Sequence, residues 1–486
     1  MDETEIRQKG LEALSQSLGY SGMIKFLQQF EPPNGDYTRD REQWLASTLP
    51  VAIDPIYRTL YPNQDIDILI TDVYVQIRDR EELIGDCQIY LSWLHTPKVK
   101  IAGKTSIHSM LSIGEYKLRL SFLQKKQEYS LLVTNTHRSD EGLQFQGSIK
   151  DLTFVHNEAD DLSYVIFHVP NFSDFQGTWI TSNGRDGWNG RVILEDEEWL
   201  ITIDKTKEFK GLDKSIRESG GYAITHVGKI EKKDGTQFSI DKADDLLNCL
   251  HYFFSFVRCG WSSPILVVGF DEHNVKSWED HKISNLDSGQ NILSWFNHTG
   301  SSLENLFPGF RKCWQDKDLS KIIKIVIHWY IESAKLSLGV EGSVVVQQIG
   351  LELLANHRGL ENGSAYEKIK RLLEGFCVPV YDSLPNKELS DLIRNDQNLQ
   401  DSLSLMPWFR NKLVHSKPSD FYKVTELSSP AKQCLWRIGK LYFDLTLLAL
   451  FEYKDKYLKA TENYVMGQEG ELVPWMSEDE VNADSE

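Results

Sequence analysis

The sequence predicts an α+β protein with an N-terminal helical segment, a β-rich domain of sandwich or barrel-like type, and an all-α helical bundle at the C-terminus. Three observations lead there. A chain of 486 residues is longer than one ordinary core organises, so two or three domains are expected. From about Asp65 to Ile230 apolar residues alternate with period two, which is the spacing of half-buried strands. From Leu319 onward they recur every three to four residues, which is the spacing of helices. Apolar residues make up 41% of the chain, with 13 Trp and 22 Phe, enough to fill several cores.

Taken in order, residues 1–50 read as a small helical segment. Ile6, Ala13, Leu14 and Leu18 share one helical face, and after Gly22 a second set (Met23, Phe26, Leu27, Phe30) repeats at helical spacing. Residues 60–235 form the β-rich domain. Val73, Val75 and Ile77 alternate, as do Tyr116, Leu118, Leu120 and Phe122, and Gly-, Asn- and Asp-rich breaks such as Ser182–Gly190 separate the strands. Residues 240–316 form a helical and mixed connector, with an aromatic helix over Asp244–Phe256 and one buried strand near Pro264–Phe270. Residues 317–460 hold the helical bundle. Its last helix starts with Ser429 as N-cap and Pro430 at the first helical position, and it buries Leu435, Ile438, Tyr442, Leu445 and Ala449. Residues 461–486 form an acidic tail; from Gly467 to Glu486 there are seven acidic and no basic residues, the composition of a solvated terminus.

Composition narrows the function classes. A net charge of −18 argues against a general nucleic-acid coat, since binding phosphates without sequence preference requires clustered Lys and Arg. It leaves room for one local basic site. The cysteines at 87, 249, 259, 313, 377 and 434 form no C-x-x-C pair and have no zinc spacing; scattered single thiols suit a reducing cytoplasm. No apolar run reaches membrane-spanning length, and the acidic stretch Met1–Glu5 lacks the apolar centre of a secretory signal. The expectation is a cytoplasmic protein without membrane association, cofactor or metal.

The chemistry-bearing segment is Pro407–Ser416. Arg410 and Asn411 are followed by His415. At about 100° per residue, Asn411 and His415 lie one turn apart, and Arg410 lies beside them. Phe409 and Leu413 face the opposite side as an apolar anchor, with Val414 at the edge of the polar arc. RNA cleavage without metal requires a base for the 2′-hydroxyl, a cation for the crowded phosphorus and an acid for the leaving oxygen. Imidazole titrates near neutrality and can be base or acid. A guanidinium is a permanent planar fork for phosphate oxygens. Asn411 can bond a phosphate or fix the ring. Lys412 and Lys417 add positive charge, and Trp408–Lys423 has four Lys or Arg against the single acid Asp420, a basic island in an acidic chain.

The segment Arg410–His415 matches the R-x4–6-H motif of the HEPN superfamily, including the Asn that commonly follows the Arg. The stretch Gln348–Ala355 resembles the helix of these bundles that carries a polar Glu, here Glu352. The order of a β-rich region followed by such a bundle resembles the ApeA-type abortive-infection proteins of bacteria. This resemblance implies an endoribonuclease in antiphage defence, a toxin to its own cell once active. It would act as a homodimer or higher even-numbered homo-oligomer with paired motifs, take RNA as substrate with transfer RNA a candidate target, and leave a 2′,3′-cyclic phosphate. A phage-derived trigger read by the β-rich region would release it. Residues 22–44 also resemble short antitoxin-like proteins encoded beside toxin genes.

Other readings stand beside these. The Arg–His pair can be an ion-pairing surface Arg with a capping His, Glu352 can be a salt bridge across the bundle, and the whole can be a non-catalytic HEPN-type dimerisation or binding module for RNA or protein. Gly103–Thr105 resembles the end of a phosphate loop but reads as a turn, because Lys98 stands where the first glycine belongs. Gly184–Gly190 reads as a hairpin turn whose neighbours Arg185, Trp188 and Arg191 could meet a ligand. His251, His328 and the Tyr252–Phe256 cluster read as core.

Overall fold

The computed structural model describes residues 49–123, 127–156, 161–182, 187–289, 293–382, 384–415, 418–463 and 470–476. The helical segment expected over 1–50, Arg185 and Lys417 lie outside them, apart from residues 49 and 50 at the end of that segment. The chain divides into two compact units, 1–51 with 181–187 and 52–180 with 188–486. In the first, Val51 bridges Thr181 in parallel. Everything that follows concerns the second.

The fold is mixed α and β, and the β-rich stretch is two bodies. Six strands come first: β1 Ile66–Ile77, β2 Arg80–Ser92, β3 Lys98–Thr105, β4 Gly114–Leu120, β5 Tyr129–Ser139 and β6 Gly142–Lys150. They close into a barrel in the order β1-β2-β3-β6-β5-β4. Alternation does the sorting: Val73, Val75, Leu118, Leu131 and Val133 point inward with no exposure, as period two requires. Register shifts in β1 near Leu69 and Val73 supply the local bend and twist that closure needs. Gly103, Lys104 and Thr105, expected as a turn, are instead the end of β3, paired with β6.

An open sheet follows. Its strands are β7 Thr153–Val155, β9 Tyr164–Pro170, β10 Thr178–Thr181, β11 Gly187–Glu195, β12 Trp199–Lys205, β13 Ile224–Lys232, β15 Ile265–Phe270 and β16 Lys276–Asp280, in the order β10-β11-β12-β13-β9-β15-β16-β7. A short pair, β8 Asp161–Leu162 with β14 Phe238–Ser239, stands apart. Helix α1 Phe209–Ser219 lies between β12 and β13, and α2 Ile240–Arg258 precedes β15. Because β15 and β16 complete this sheet, the stretch 240–316 is part of the folded body, although its mixed pattern reads as a connector.

The helical region contains α3 Gly300–Gln315, α4 Lys317–Lys335, α5 Gly339–His357, α6 Ala365–Gly375, α7 Lys387–Asn395, α8 Leu405–Val414, α9 Pro418–Thr425 and α10 Ser429–Leu450. Ser428 caps α10 through Ala431 N, and Pro430 falls in the first turn, one residue from the expected cap. Helix α5 packs against α4, α6, α8 and α10, a close approach that Gly350 permits beneath the Phe443 ring. Strands β17 Lys456–Tyr457 and β18 Glu471–Leu472 pair, and Trp475 Nε1 donates to Tyr453 O at 2.8 Å. Residues 470–476, within the stretch expected as a solvated tail, are therefore docked: the apolar Leu472, Val473 and Trp475 outweigh the neighbouring charge. Among the described residues no helix is long and apolar enough to cross a membrane.

Sheet and helices share one core. Phe254 of α2 meets Phe167 of β9, Phe253 meets Phe307 of α3, and Phe256 meets Tyr330 of α4 and Phe451. This helix is apolar on nearly every face because it is covered on nearly every face. Close packing sets one checkable limit. A Cβ on Gly309 would stand 1.8 Å from Phe451 O, a backbone atom that cannot rotate away. Gly309→Ala is expected to destabilise the protein by about 1–3 kcal/mol, the range for overpacking, measured by urea unfolding; an unchanged midpoint would refute that close approach.

Candidate functional site

Helix α8 is built in two halves. Leu405, Met406, Pro407, Trp408 and Phe409 are buried, and Trp408 Nε1 donates to Asp396 Oδ2 at 3.2 Å. Pro407 sits in the first turn, where its missing N–H removes no helical bond. The second half leaves the core. Arg410 and Lys412 are half-buried, Asn411 and His415 are exposed, and Leu413 still packs on the core from the opposite side. Val414, expected to pack at the edge of the polar arc, is 53% exposed, because the helix ends there and nothing covers its last turn. His415 is the C-cap, its N–H bonded to Asn411 O.

The structure brings Arg410, Asn411 and His415 together. Arg410 Nη1 lies 3.2 Å from Asn411 Oδ1 and 3.2 Å from His415 Nε2. A guanidinium only donates, so Nε2 accepts and the imidazole in this arrangement carries its proton on Nδ1. A lone pair and a permanent cation thus share one small exposed surface. Lys412 makes contacts of its own. Glu352 does not join the group: its Oε1 lies 3.3 Å from Lys368 Nζ on α6, the salt bridge between neighbouring helices that its place in an apolar helix allows.

Other polar residues singled out from the sequence resolve as structure. Arg191 forms a pair with the fully buried Asp204, Nη2 to Oδ2 at 2.7 Å, and Trp188 Nε1 donates to Lys205 O. His328, expected in the core, is exposed and lies edgewise to Trp329. His251 is buried, with Nδ1 2.9 Å from Ser262 O. His168 is fully buried, accepting from Tyr57 N on Nε2 (3.1 Å) and donating from Nδ1 to Leu266 O (3.0 Å).

Burial lowers both His168 and His251 to about 4. In the interval between there and the unfolded value near 6.5, the unfolded chain binds more protons. Their stabilising contribution is complete above about pH 6.5 and is lost as pH falls toward 4, on the order of 3 kcal/mol per ring. Urea midpoints at pH 7.5 and 5 should show it. A midpoint independent of pH across that window would contradict the neutral, buried rings.

Sequence pattern did not reveal one cluster. Lys440 and Asp444 of α10 pair with no exposed surface, and Tyr330 of α4 joins them, its OH 2.7 Å from Asp444 Oδ1 and 2.8 Å from Lys440 Nζ. The only signal was two opposite charges four residues apart inside an apolar run.

These features define a class: a mixed α+β protein in which a barrel precedes a sheet-and-helix body, with a basic Arg-Asn-His helix end on its surface. Within that body, residues 157–292 match the family model described as the YopA central domain, and residues 316–471 match the YopA C-terminal domain. The chain is similar to the SPbeta prophage-derived uncharacterized protein YopA of Bacillus subtilis (strain 168), 27% identical over 365 residues that cover 72% of this chain and 80% of that protein. No solved structure matches. The first match spans β8 to β16 and the second α4 to β18, so the barrel lies outside both.

Proposed function

We propose that the protein is a metal-independent endoribonuclease of bacterial antiphage defence, cleaving RNA at a HEPN-type site. The observation that carries this reading is the contact of Arg410 Nη1 with both Asn411 Oδ1 and His415 Nε2 at the exposed end of α8. The Nε2 lone pair would take the 2′-hydroxyl proton, and the guanidinium, turning to the phosphate, would hold its non-bridging oxygens as charge builds. The hydroxyl oxygen then bonds phosphorus, the bond to the 5′-oxygen breaks, and that oxygen takes a proton.

One imidazole cannot be base on one side and acid on the other at the same instant. Two copies of the motif facing one strand would supply both, so the reading includes a homodimer or a higher even-numbered homo-oligomer. Transfer RNA is a candidate substrate. The defence setting is supported by the likeness to abortive-infection proteins and by the prophage origin that the relative's name records, with the β-rich region as the element that reads a phage-derived trigger.

The test is incubation of the purified protein with total RNA in EDTA, alone and with phage lysate as the source of trigger. The expected result is cleavage to ends bearing 2′,3′-cyclic phosphate. RNA retained by the protein but left intact in both arms would instead favour a non-catalytic binding module.

A further inference from the structure

We infer that the cavity between α1, the end of α2 and the segment after β9 is a binding site for a small organic anion, with Arg258 and Arg217 as its cationic wall. The inference is independent of RNA cleavage.

The cavity holds 390 Å³, within the range of pockets that enclose small ligands. Its lining includes Phe172, Asp174, Arg217, Arg258, Phe296 and His298. The decisive residue is Arg258. It is 6% exposed and donates from Nη1 to Trp261 O (2.8 Å) and Asp287 O (3.1 Å) and from Nη2 to Ser288 O (2.7 Å). A guanidinium has further N–H groups, and among the described residues these have no acceptor.

Arg258 also lacks a carboxylate of its own. Asp174 is held by Lys205 Nζ at 2.8 Å, Asp213 by Arg217 Nη2 at 2.6 Å, and Asp287 by Lys335 Nζ at 2.7 Å. Around the cavity each acid has its cation and Arg258 is left over. Burial lowers it to about 10, still cationic at neutral pH. A buried ion without a counterion is costly, and this one stands in a chain of net charge −18. The charge and the free N–H groups call for an anionic oxygen group from outside the chain. The rings of Phe172 and Phe296, with Ile216, Leu293 and Leu458, call for an apolar or flat body attached to it. A phosphomonoester of mononucleotide size has both, and so does an aromatic carboxylate.

The experiment titrates the full-length protein with adenosine monophosphate, benzoate, inorganic phosphate and uncharged adenosine, following heat of binding and Tm. Adenosine monophosphate or benzoate is expected to bind once per chain and raise Tm, which also tells phosphate from carboxylate; inorganic phosphate should bind more weakly and adenosine not at all. Arg217→Glu, whose side chain is 39% exposed, is expected to keep the unliganded Tm and weaken binding at least tenfold. Arg258→Lys keeps the charge but loses the planar fork, and should weaken it similarly. The inference is overturned if neither organic anion binds at millimolar concentration, if adenosine binds as well as its monophosphate, or if Arg217→Glu leaves the affinity unchanged.

Discussion

Protein carrying His415→Ala is expected to lose RNA cleavage in EDTA by about 10²–10⁴-fold, the span that positioned general acid–base groups contribute. Arg410→Ala should fall as far, for two reasons. It removes the cation that would meet the crowded phosphate, and it removes the donor 3.2 Å from Nε2 that orients the ring. Arg410→Lys separates the two effects. It keeps a point charge without the bidentate fork, so an intermediate loss is expected. All three positions are on the surface half of α8, and the buried half from Leu405 to Phe409 is untouched, so unfolding midpoints should match the parent. Cleavage that persists in His415→Ala would end the nuclease reading. Asn411→Ala should lose less, since the residue carries no charge and touches only the guanidinium.

The second large effect concerns stability. Lys440→Met is expected to destabilise the protein by about 3–5 kcal/mol, the cost of breaking a buried ion pair and leaving one charge behind. Asp444 is 1% exposed and its Oδ2 already lacks a hydrogen-bond partner. Burial pushes its carboxyl above the usual range, and Lys440 opposes that shift. Without the ammonium, only the Tyr330 hydroxyl remains. The double variant Lys440→Met with Asp444→Leu should recover most of the loss, because an apolar pair carries no desolvation penalty. Urea unfolding of the two variants measures the difference. A single variant within about 0.5 kcal/mol of the parent, the range of ordinary surface substitutions, would mean that the cluster contributes no net stability. The cluster joins α4 to α10 beside Cys259 at the end of α2, so its loss should loosen the helical region and the sheet together.

The local chemistry was legible in the sequence because it is local. Period-two and helical spacing separate strand from helix by which side chains a single element must bury, and Val73, Val75 and Phe409 went where spacing sent them. Arg410, Asn411 and His415 are within six residues on one helix, so helix geometry alone sets them side by side. Glu352 was harder: a Glu in an apolar helix has the same signature whether it serves a site or a neighbouring Lys, and Lys368 decided between them.

The parts that were not legible all depend on residues distant in the chain. Nothing in the alternation of Asp65–Ile230 says that β1 closes on β4 while β9 goes on to pair with β15, since closure is set by register between strands, not by pattern within one. The connector reading of 240–316 failed for a similar reason: α2 is apolar all round because sheet and helices meet on it, and a sequence cannot show which surfaces arrive. Arg258 and Arg217 lie forty-one positions apart by number, and each reads as an ordinary helix-end cation until the fold sets both on one cavity. By itself the sequence determined the strand-rich and helical stretches and the Arg-Asn-His helix end, because each follows from spacing along one element. Only the tertiary structure decided the closed barrel, the shared core, the buried Lys440–Asp444 pair and the cavity at Arg258, because burial and charge balance belong to whatever surrounds a residue in space.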